Sequence, residues 1–293
     1  MVAGSVESYS PHEIIRAVNV KELLARGRAQ LEDLPLGRLE AEILLGEVLG
    51  VSRAWLYANP EQTPASKESG RFLDLVRRRE NGEPIAYLTG FREFWSLPLK
   101  VTTDVLIPRP ETELLVETVL AFIPEDTAWR IADLGTGSGA IALAIASERP
   151  LCEIHATEYS ETALKVAQEN GQVITPGRVQ FHLGSWLTPL EGRFQVLVSN
   201  PPYIPLDDPH LQRGDSRFEP AEALTPGQDG LAAIRHISGE ALPYLAHGGM
   251  LTFEHGYDQG NEVRQILLKL GYSDVNTRKD LENRERVTSG IRE

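Results

Sequence analysis

Hydrophobic positions recur at helical spacing through the first part of the chain. Intervals of three and four residues, which place side chains on one face of a helix, separate most of them. They comprise Ile14, Ile15, Val18, Val20, Leu23 and Leu24, then Leu39, Ile43, Leu44, Val48 and Leu49, and a third stretch covers residues 66–80. We therefore predict a small all-helical domain over residues 1–84.

A different pattern begins at Pro84. Between residues 85 and 108, short runs alternate apolar and polar side chains and are broken by Gly90 and Pro98, which is typical of a β-hairpin. After two prolines at 108 and 110, acidic residues in a first turn predict a helix over 111–122. The sequence thus predicts a β-hairpin linker, residues 85–108, followed by a second domain, residues 109–293.

Short apolar strands alternate with helices through this second domain. We expect strands at 130–134, 153–157, 179–183, 194–199 and 249–254, and helices at 140–147, 161–169, 231–245 and 259–270. Residues 273–277 and 287–289 are expected to form a terminal antiparallel pair. Such alternation is typical of an open, doubly wound α/β sheet, which binds ligands at the carboxyl ends of its strands.

Composition narrows the function classes. The 293 residues carry a formal net charge of -13, whereas proteins that grip nucleic acid through phosphates normally have a basic face, so we expect no direct nucleic-acid partner. The single cysteine, Cys152, excludes an internal disulfide and a cysteine-based zinc site. No metal is expected.

The chain lacks the apolar segments of a signal peptide or a membrane span, and we expect a cytoplasmic protein. The sequence leaves the oligomeric state open, with a monomer as the expectation.

A glycine-rich turn follows the first strand of the second domain. It consists of Gly135, Thr136, Gly137, Ser138 and Gly139, directly before a helix rich in small residues. Glycines let the backbone turn sharply and approach a ligand at the positive end of a helix. Glu158, at the end of the next strand, is placed to accept ribose hydroxyls. Because Gly135, Gly137 and Ala140 also satisfy the looser dinucleotide fingerprint, this turn alone leaves a nicotinamide enzyme open.

The tetrapeptide Asn200-Pro201-Pro202-Tyr203 follows the strand 194–199. Each proline fixes its own φ and restricts the residue before it, so Asn200 and Pro201 are held extended. Prolines also lack an N–H group, which leaves the loop rich in hydrogen-bond acceptors. Such a loop is suited to binding an NH₂ group and unsuited to binding an anion.

A planar amide nitrogen is a poor nucleophile because its lone pair is delocalised into the carbonyl. If the side-chain oxygen of Asn200 and the carbonyl of Pro201 each accept one N–H, the nitrogen gains electron density and its lone pair can be oriented toward an electrophilic methyl group. Tyr203 would stack on the planar group. No strong base is required, since the methylated cationic amide loses its proton readily.

These residues are similar to those of Rossmann-like amino-methyltransferases. Further segments resemble the HemK/PrmC family of release-factor glutamine methyltransferases: residues 88–95 (LTGFREFW), 106–113 (LIPRPETE), 218–220 with 223–224, 229–231, 254–257, and 280–281 with Arg284, Arg286 and Val287. The resemblance extends from about residue 20 to the end of the chain. It implies a Rossmann-like class I methyltransferase sheet, with a helical N-terminal domain that recognises the partner and a β-hairpin that joins the two.

The resemblance also implies the reaction and the roles of the site residues. A methyl group would pass from S-adenosyl-L-methionine to the glutamine side-chain amide in the Gly-Gly-Gln motif of class 1 peptide chain release factors. Gly135 to Gly139 would hold the methionine and ribose parts of the cofactor, Glu158 the ribose, and Trp186 would lie against the adenine. The segment from Asn200 to Tyr203 would clamp the glutamine amide.

The sequence departs from the family pattern at two positions and leaves two alternatives. Glu158 stands where Asp is frequent, and Ser185 precedes Trp186 where Asp is common, so the usual contact to the adenine amino group is in doubt. One alternative is a ribosomal-protein glutamine methyltransferase, which belongs to the same class of enzymes. An adenine-N6 nucleic-acid methyltransferase would use the same tetrapeptide, but it would need a basic channel and base flipping.

Overall fold

The protein, for which we use a computed structural model, is described over residues 18–212 and 214–293. The chain divides into two compact units, Met1–Thr89 and Gly90–Glu293. The predicted helical positions Ile14 and Ile15 lie outside the described residues. Over the described part of the chain, no helix is long and apolar enough to cross a membrane.

The first unit is helical, as predicted. Its helices are α1 (Val20–Gln30), α2 (Gly37–Leu49), α3 (Arg53–Ala58), α4 (Ser66–Glu80) and α5 (Ile85–Thr89). Helix α1 begins with a capping box in which the Asn19 side chain and the Glu22 side chain each satisfy a backbone N–H group of the other residue. A Cβ atom at Gly27 would lie 2.6 Å from the Phe72 ring, so glycine permits close packing of α1 on α4. Leucine, valine and phenylalanine side chains from the five helices form one core.

The hairpin is shorter than predicted. Residues 85–89 form helix α5 and belong to the first unit, and the strands are confined to β1 (Phe91–Phe94) and β2 (Leu97–Lys100). The reason for the difference lies in Pro84, whose carbonyl accepts hydrogen bonds from the N–H groups of Tyr87 and Leu88. The amphipathic run after it therefore closes a helical turn. The hairpin itself turns at Trp95 and Ser96, both with positive φ, the geometry that suits a two-residue β-turn.

The second unit carries the α/β sheet. Its helices are α6 (Glu113–Phe122), α7 (Ala140–Glu148), α8 (Glu161–Ile174), α9 (Ala221–Leu224), α10 (Ala232–Ala241) and α11 (Gly260–Lys269). Its further strands are β3 (Arg130–Leu134), β4 (Glu153–Glu158), β5 (Val179–Leu183), β6 (Phe194–Ser199), β7 (Leu245–Glu254), β8 (Ser273–Lys279) and β9 (Glu285–Ile291). The predicted helices 111–122 and 231–245 are shorter, because a 3₁₀ turn (Pro110–Thr112) precedes α6 and residue 245 already belongs to β7.

The seven described strands of this sheet are arranged in the order β5-β4-β3-β6-β7-β9-β8. Strands β3 to β7 pair in parallel, while β9 is antiparallel to both of its neighbours. The predicted terminal antiparallel pair is therefore confirmed. The strand order reverses between β3 and β6, and such a switch point leaves a crevice at the carboxyl ends of the two strands. There the Ser199 hydroxyl donates to the Leu134 carbonyl (2.6 Å), which ties the ends of β6 and β3 together.

Candidate active site

A cleft of about 610 Å³ opens at the switch point of the sheet. Eight of the predicted site residues contribute to its lining: Gly135, Thr136, Gly137, Ser138, Glu158, Trp186, Asn200 and Pro202. Among the described residues, Gly139, Pro201 and Tyr203 were also predicted for the site but are not part of this lining. The fold thus gathers most of the predicted residues around one cavity.

The glycines of the turn after β3 have different physical roles. Gly135 has a φ of 75°, and a Cβ atom there would lie 2.8 Å from the Trp186 ring, so the indole packs directly over this glycine. Gly137 has a φ of 56° with open space around it, which leaves its backbone free to approach a ligand. Gly139 is the N-terminal cap of α7, and a Cβ atom there would press on Leu143. Its role is therefore to let α7 begin close to Ala167 of α8.

Asp133, the last but one residue of β3, holds this turn through hydrogen bonds. Its Oδ2 atom accepts hydrogen bonds from the Thr136 hydroxyl (2.6 Å) and the Ala142 N–H group (3.2 Å). Its Oδ1 atom is buried and has no hydrogen-bond partner among the described residues. Burial raises the pKa of this carboxyl to about 7, although the Thr136 and Ala142 hydrogen bonds oppose the shift. Asp133 was not predicted for the site, although it lies just before the glycine-rich turn.

Glu158 stands at the end of β4 and reaches across to the glycine-rich turn. Its Oε2 atom accepts the Gly137 N–H group and its Oε1 atom accepts the Ser160 N–H group, each at 2.9 Å. Each oxygen keeps a lone pair for a further donor, as expected for a residue that binds sugar hydroxyls. The neighbouring Tyr159 also lines the cleft and is 74% exposed, so its ring is available to cover a bound base.

The Asn200 side chain is held at one end. Its Nδ2 atom donates to the Thr112 hydroxyl (3.2 Å), a residue of the 3₁₀ turn before α6. This contact leaves the Oδ1 atom, together with the second hydrogen of Nδ2, for a ligand in the cleft. The Tyr203 hydroxyl donates to the Glu254 carboxylate (3.1 Å) at the end of β7. Burial raises the pKa of Tyr203, which keeps this hydroxyl a donor.

Contacts from distant segments hold the tetrapeptide loop and the walls of the cleft. Gln259 Nε2 donates to the Tyr203 carbonyl (3.0 Å), and a Cβ atom on Gly230 would lie 2.4 Å from that same oxygen. Glu219 accepts the Ile107 N–H group (3.1 Å) and a hydrogen bond from Arg109. Thr112, Glu219, Gly230 and Glu254 all belong to the segments through which the sequence resembles its family. Thr112, Gly230 and Glu254 thus lie against the tetrapeptide, and Glu219 holds the segment that carries Thr112.

The cleft suits the cofactor that the sequence implies. Glu158 offers acceptors for ribose hydroxyls, the Gly137 backbone leaves room beside it, and Tyr159, Ile141 and Trp186 offer apolar surface for a base. Ser185 is exposed at the rim, where its hydroxyl replaces the carboxylate common in the family. Within the described ranges, no group of three or more His, Cys, Asp and Glu residues could hold a metal ion.

Tyr159, Thr112 and His236 are among the cleft residues that were not predicted for the site. Tyr159 follows Glu158 directly, so its position after an acid at a strand end was a usable signal. Thr112 lies within the resembling segment 106–113, but its contact with Asn200 spans 88 residues and follows no local pattern. His236 lines the cleft from α10, and its spacing on that helix gives no sign of this.

Both units of the chain match known protein families. The PrmC N-terminal domain model matches residues 22–90, and the methyltransferase small domain model matches residues 110–221. The release factor glutamine methyltransferase of Salmonella typhimurium is 48% identical over 89% of this chain and 94% of its own length. That of Coxiella burnetii is 50% identical over 85% and 90%. In fold, a methyltransferase from Pyrococcus furiosus aligns with a TM-score of 0.51 at 19% identity, covering 78% of this chain and 98% of the other.

Proposed function

The chain belongs to the release factor glutamine methyltransferase family, and from this premise we propose that it methylates the side-chain amide nitrogen of the glutamine in the Gly-Gly-Gln motif of class 1 peptide chain release factors. It is an S-adenosyl-L-methionine-dependent methyltransferase, and the nicotinamide alternative is set aside. We also propose that the enzyme takes part in translation termination and acts in the cytoplasm.

Identity over nearly the full length of the relatives carries this proposal. The chain covers 94% of the Salmonella typhimurium relative, and both the N-terminal and the methyltransferase models match. A likeness confined to the sheet would support only a methyltransferase. Because the match includes the helical unit, it favours the release factor as the substrate. The two alternatives are a glutamine of a ribosomal protein and an adenine of a nucleic acid.

The residues at the end of β6 account for the chemistry. S-adenosyl-L-methionine, when bound, supplies the electrophilic methyl group. Asn200 Oδ1 and the Pro201 carbonyl each accept one N–H of the substrate amide, and Pro202 lines the approach. Two acceptors at fixed positions favour the orientation in which the nitrogen lone pair faces the methyl group. They also stabilise the positive charge that develops on the nitrogen.

The cofactor half of the cleft has separate residues. Glu158 holds the ribose hydroxyls, and the turn from Gly135 to Ser138 lies along the methionine and ribose parts. Trp186 and Tyr159 cover the base. Gly139 acts indirectly, through the start of α7. We assign recognition of the release factor to the helical unit, because affinity for one glutamine among many must come from contacts far from the transferred methyl group.

The experiment that tests the function uses the purified full-length protein. It is incubated with methyl-labelled cofactor and purified class 1 release factors, and the label is located by mass spectrometry of the peptides. We expect label on the glutamine of the Gly-Gly-Gln motif. A release factor with that glutamine replaced by alanine is the control and should remain unlabelled. Label in ribosomal protein or in nucleic acid, with none in the release factor, would transfer the assignment to one of the alternatives.

A further inference from the structure

A cluster of three arginines in the helical unit takes no part in the proposed chemistry. Each of them forms an ion pair with Glu42 of α2, a residue that is 1% exposed. The three are Arg28 of α1, Arg38 of α2 and Arg53 of α3. Together with Tyr57 and Glu42 they line an open groove of about 600 Å³. The cluster therefore carries more positive charge than its buried carboxylate neutralises.

Two of the arginines use the hydrogen-bonding capacity of Glu42. Its Oε2 atom accepts the Nε (3.0 Å) and Nη2 (2.6 Å) groups of Arg53. Its Oε1 atom accepts Arg28 Nη2 (2.8 Å) and the Tyr57 hydroxyl (2.5 Å). A carboxylate has lone pairs for about four donors, so these contacts satisfy it. Although burial raises the pKa of this carboxyl, the hydrogen bonds from its partners lower it to about 2, and the carboxylate stays charged.

Arg38 is the arginine that this network does not need. Its Nε atom lies 3.5 Å from Glu42 Oε1, and its Nη2 atom donates to the Tyr57 oxygen over 3.4 Å. Both contacts are longer than a well-formed hydrogen bond, and the Arg38 side chain is 72% exposed. Arg28 also has a donor in excess, since its Nε atom is buried and has no hydrogen-bond partner among the described residues. The groove thus holds more N–H donors than acceptors.

The chemistry of the groove suits an acidic segment of a protein. Its charged lining residues are the three arginines, Glu42 and the exposed Glu32, so the groove is positive in a chain whose net charge is -13. Guanidinium groups bind carboxylates through paired N–H donors. Leu36, which is 59% exposed at the same groove, adds an apolar contact that a protein segment can use. A nucleic acid fits less well, because the acidic chain as a whole repels a polyanion.

We propose that Arg38, together with Arg28 and Arg53, forms a binding site for an aspartate or glutamate side chain on the surface of the release factor. The proposal rests on the proposed methylation of that factor and deepens it, since it names the chemistry by which the helical unit recognises its partner. Glu42 holds two of the arginines in place before the partner binds, which reduces the side-chain entropy lost on binding. The site contributes to affinity and not to the chemical step.

Replacement of Arg38 tests the site in the full-length enzyme. Arg38→Gln removes the charge and leaves the four hydrogen bonds of Glu42 intact. With saturating cofactor, we expect KM for the release factor to rise about tenfold, the scale of one charge-assisted hydrogen bond. The kcat at saturating release factor should stay near the wild-type value. Arg38→Lys keeps the charge without the paired donors, and its KM should lie between the two.

Arg26→Gln is the matched control. Arg26 is exposed on α1 of the same unit and does not line the groove, so this variant removes the same charge without removing the site. Its KM should stay within about twofold of the wild-type value. The rise of KM with ionic strength should be less steep in Arg38→Gln than in Arg26→Gln, because salt screens the proposed contact. Equal KM values in the two variants would overturn the proposal.

Binding of an oligo-glutamate peptide tests the groove without methyl transfer. At low ionic strength, fluorescence anisotropy of the labelled peptide should show binding to the wild type and to Arg26→Gln, and binding about tenfold weaker to Arg38→Gln. An RNA oligonucleotide that binds more tightly than the peptide, and loses this affinity in Arg38→Gln, would overturn the choice of a protein partner. If the wild type methylates no release factor, the proposed function fails, and the peptide still tests the groove: equal affinity for both variants would overturn it.

Discussion

Replacement of Glu158 by alanine tests the cofactor half of the cleft most directly. The carboxylate accepts two backbone N–H groups at 2.9 Å, from Gly137 and Ser160, in addition to the ribose hydroxyls that we assign to it. Alanine therefore removes the ligand contact and also releases the turn after β3. Both effects weaken the binding of cofactor, and neither alters the groups proposed to hold the substrate amide.

The size of the effect follows from the kind of hydrogen bond lost. One hydrogen bond to a charged group contributes about 1.5–3 kcal/mol net, and each 1.4 kcal/mol is a factor of ten in affinity, so Kd should rise about 10- to 150-fold. Calorimetric titration with S-adenosylhomocysteine measures this change. The melting temperature should also fall modestly, since two N–H groups lose their acceptor.

Glu161→Ala provides a control of the same charge. Glu161 lies in the first turn of α8, is exposed, and does not line the cleft. It loses a favourable charge near a helix N-terminus, which affects stability by about 0.3–1 kcal/mol, but its Kd should stay at the wild-type value. If Glu158→Ala binds S-adenosylhomocysteine as tightly as Glu161→Ala does, Glu158 is not part of the cofactor site.

Three further predictions address the substrate amide, the turn and the helical unit. Asn200→Ala should lower kcat about 100-fold, the scale of losing one preorganised hydrogen bond at the reacting atom. Its affinity for S-adenosylhomocysteine, measured by calorimetry, should be unchanged. Weakened binding of S-adenosylhomocysteine with an unchanged kcat would contradict the role of Asn200. Because burial raises the pKa of Asp133 to about 7, the folded state keeps a proton that the unfolded chain loses above about pH 4. The free energy of unfolding of the wild type, measured with urea, should therefore fall by up to about 1.4 kcal/mol per pH unit relative to that of Asp133→Asn between about pH 4 and 7. Parallel plots of unfolding free energy against pH for the two proteins would refute this. A chain that begins at Gly90 should bind S-adenosylhomocysteine but methylate intact release factor with kcat/KM at least about tenfold lower; equal rates would leave the helical unit without its assigned role.

Most of the sheet was predictable because its strands are short apolar runs between turn residues. The bounds of β3, β5 and β6 agree with the prediction, as does α4. The error at residues 85–89 has a local cause. The five residues, four of them apolar or aromatic, suit a strand or one helical turn equally well. In the structure they form a helical turn in which the N–H groups of Tyr87 and Leu88 donate to the Pro84 carbonyl, a contact that sequence patterns do not reveal.

The site was predictable where its residues are adjacent in the chain. The turn from Gly135 to Ser138 lines the cleft, as do Asn200 and Pro202 of the loop after β6. What no pattern indicated was support from distant segments. Thr112 reaches Asn200, and Glu254 reaches Tyr203, across separations of 88 and 51 residues. The topology of the sheet, which places β6 beside β7, brings Glu254 to Tyr203, and the 3₁₀ turn before α6 brings Thr112 to Asn200.

The electrostatics around the tetrapeptide favour catalysis by orientation over catalysis by a base. Burial raises the pKa of Tyr203, so its hydroxyl stays protonated, and the Glu254 carboxylate accepts a hydrogen bond from that hydroxyl behind the loop. Neither group is therefore placed to remove a proton from a substrate in the cleft. An amide nitrogen does not need this help, because it becomes strongly acidic only after it has been methylated, when water can take the proton. What it does need is a lone pair held toward the methyl group, and that is what acceptors at fixed positions provide. The hydrogen bonds from Asn200 to Thr112 and from Tyr203 to Glu254 therefore hold the loop in position, and neither requires the transfer of a proton.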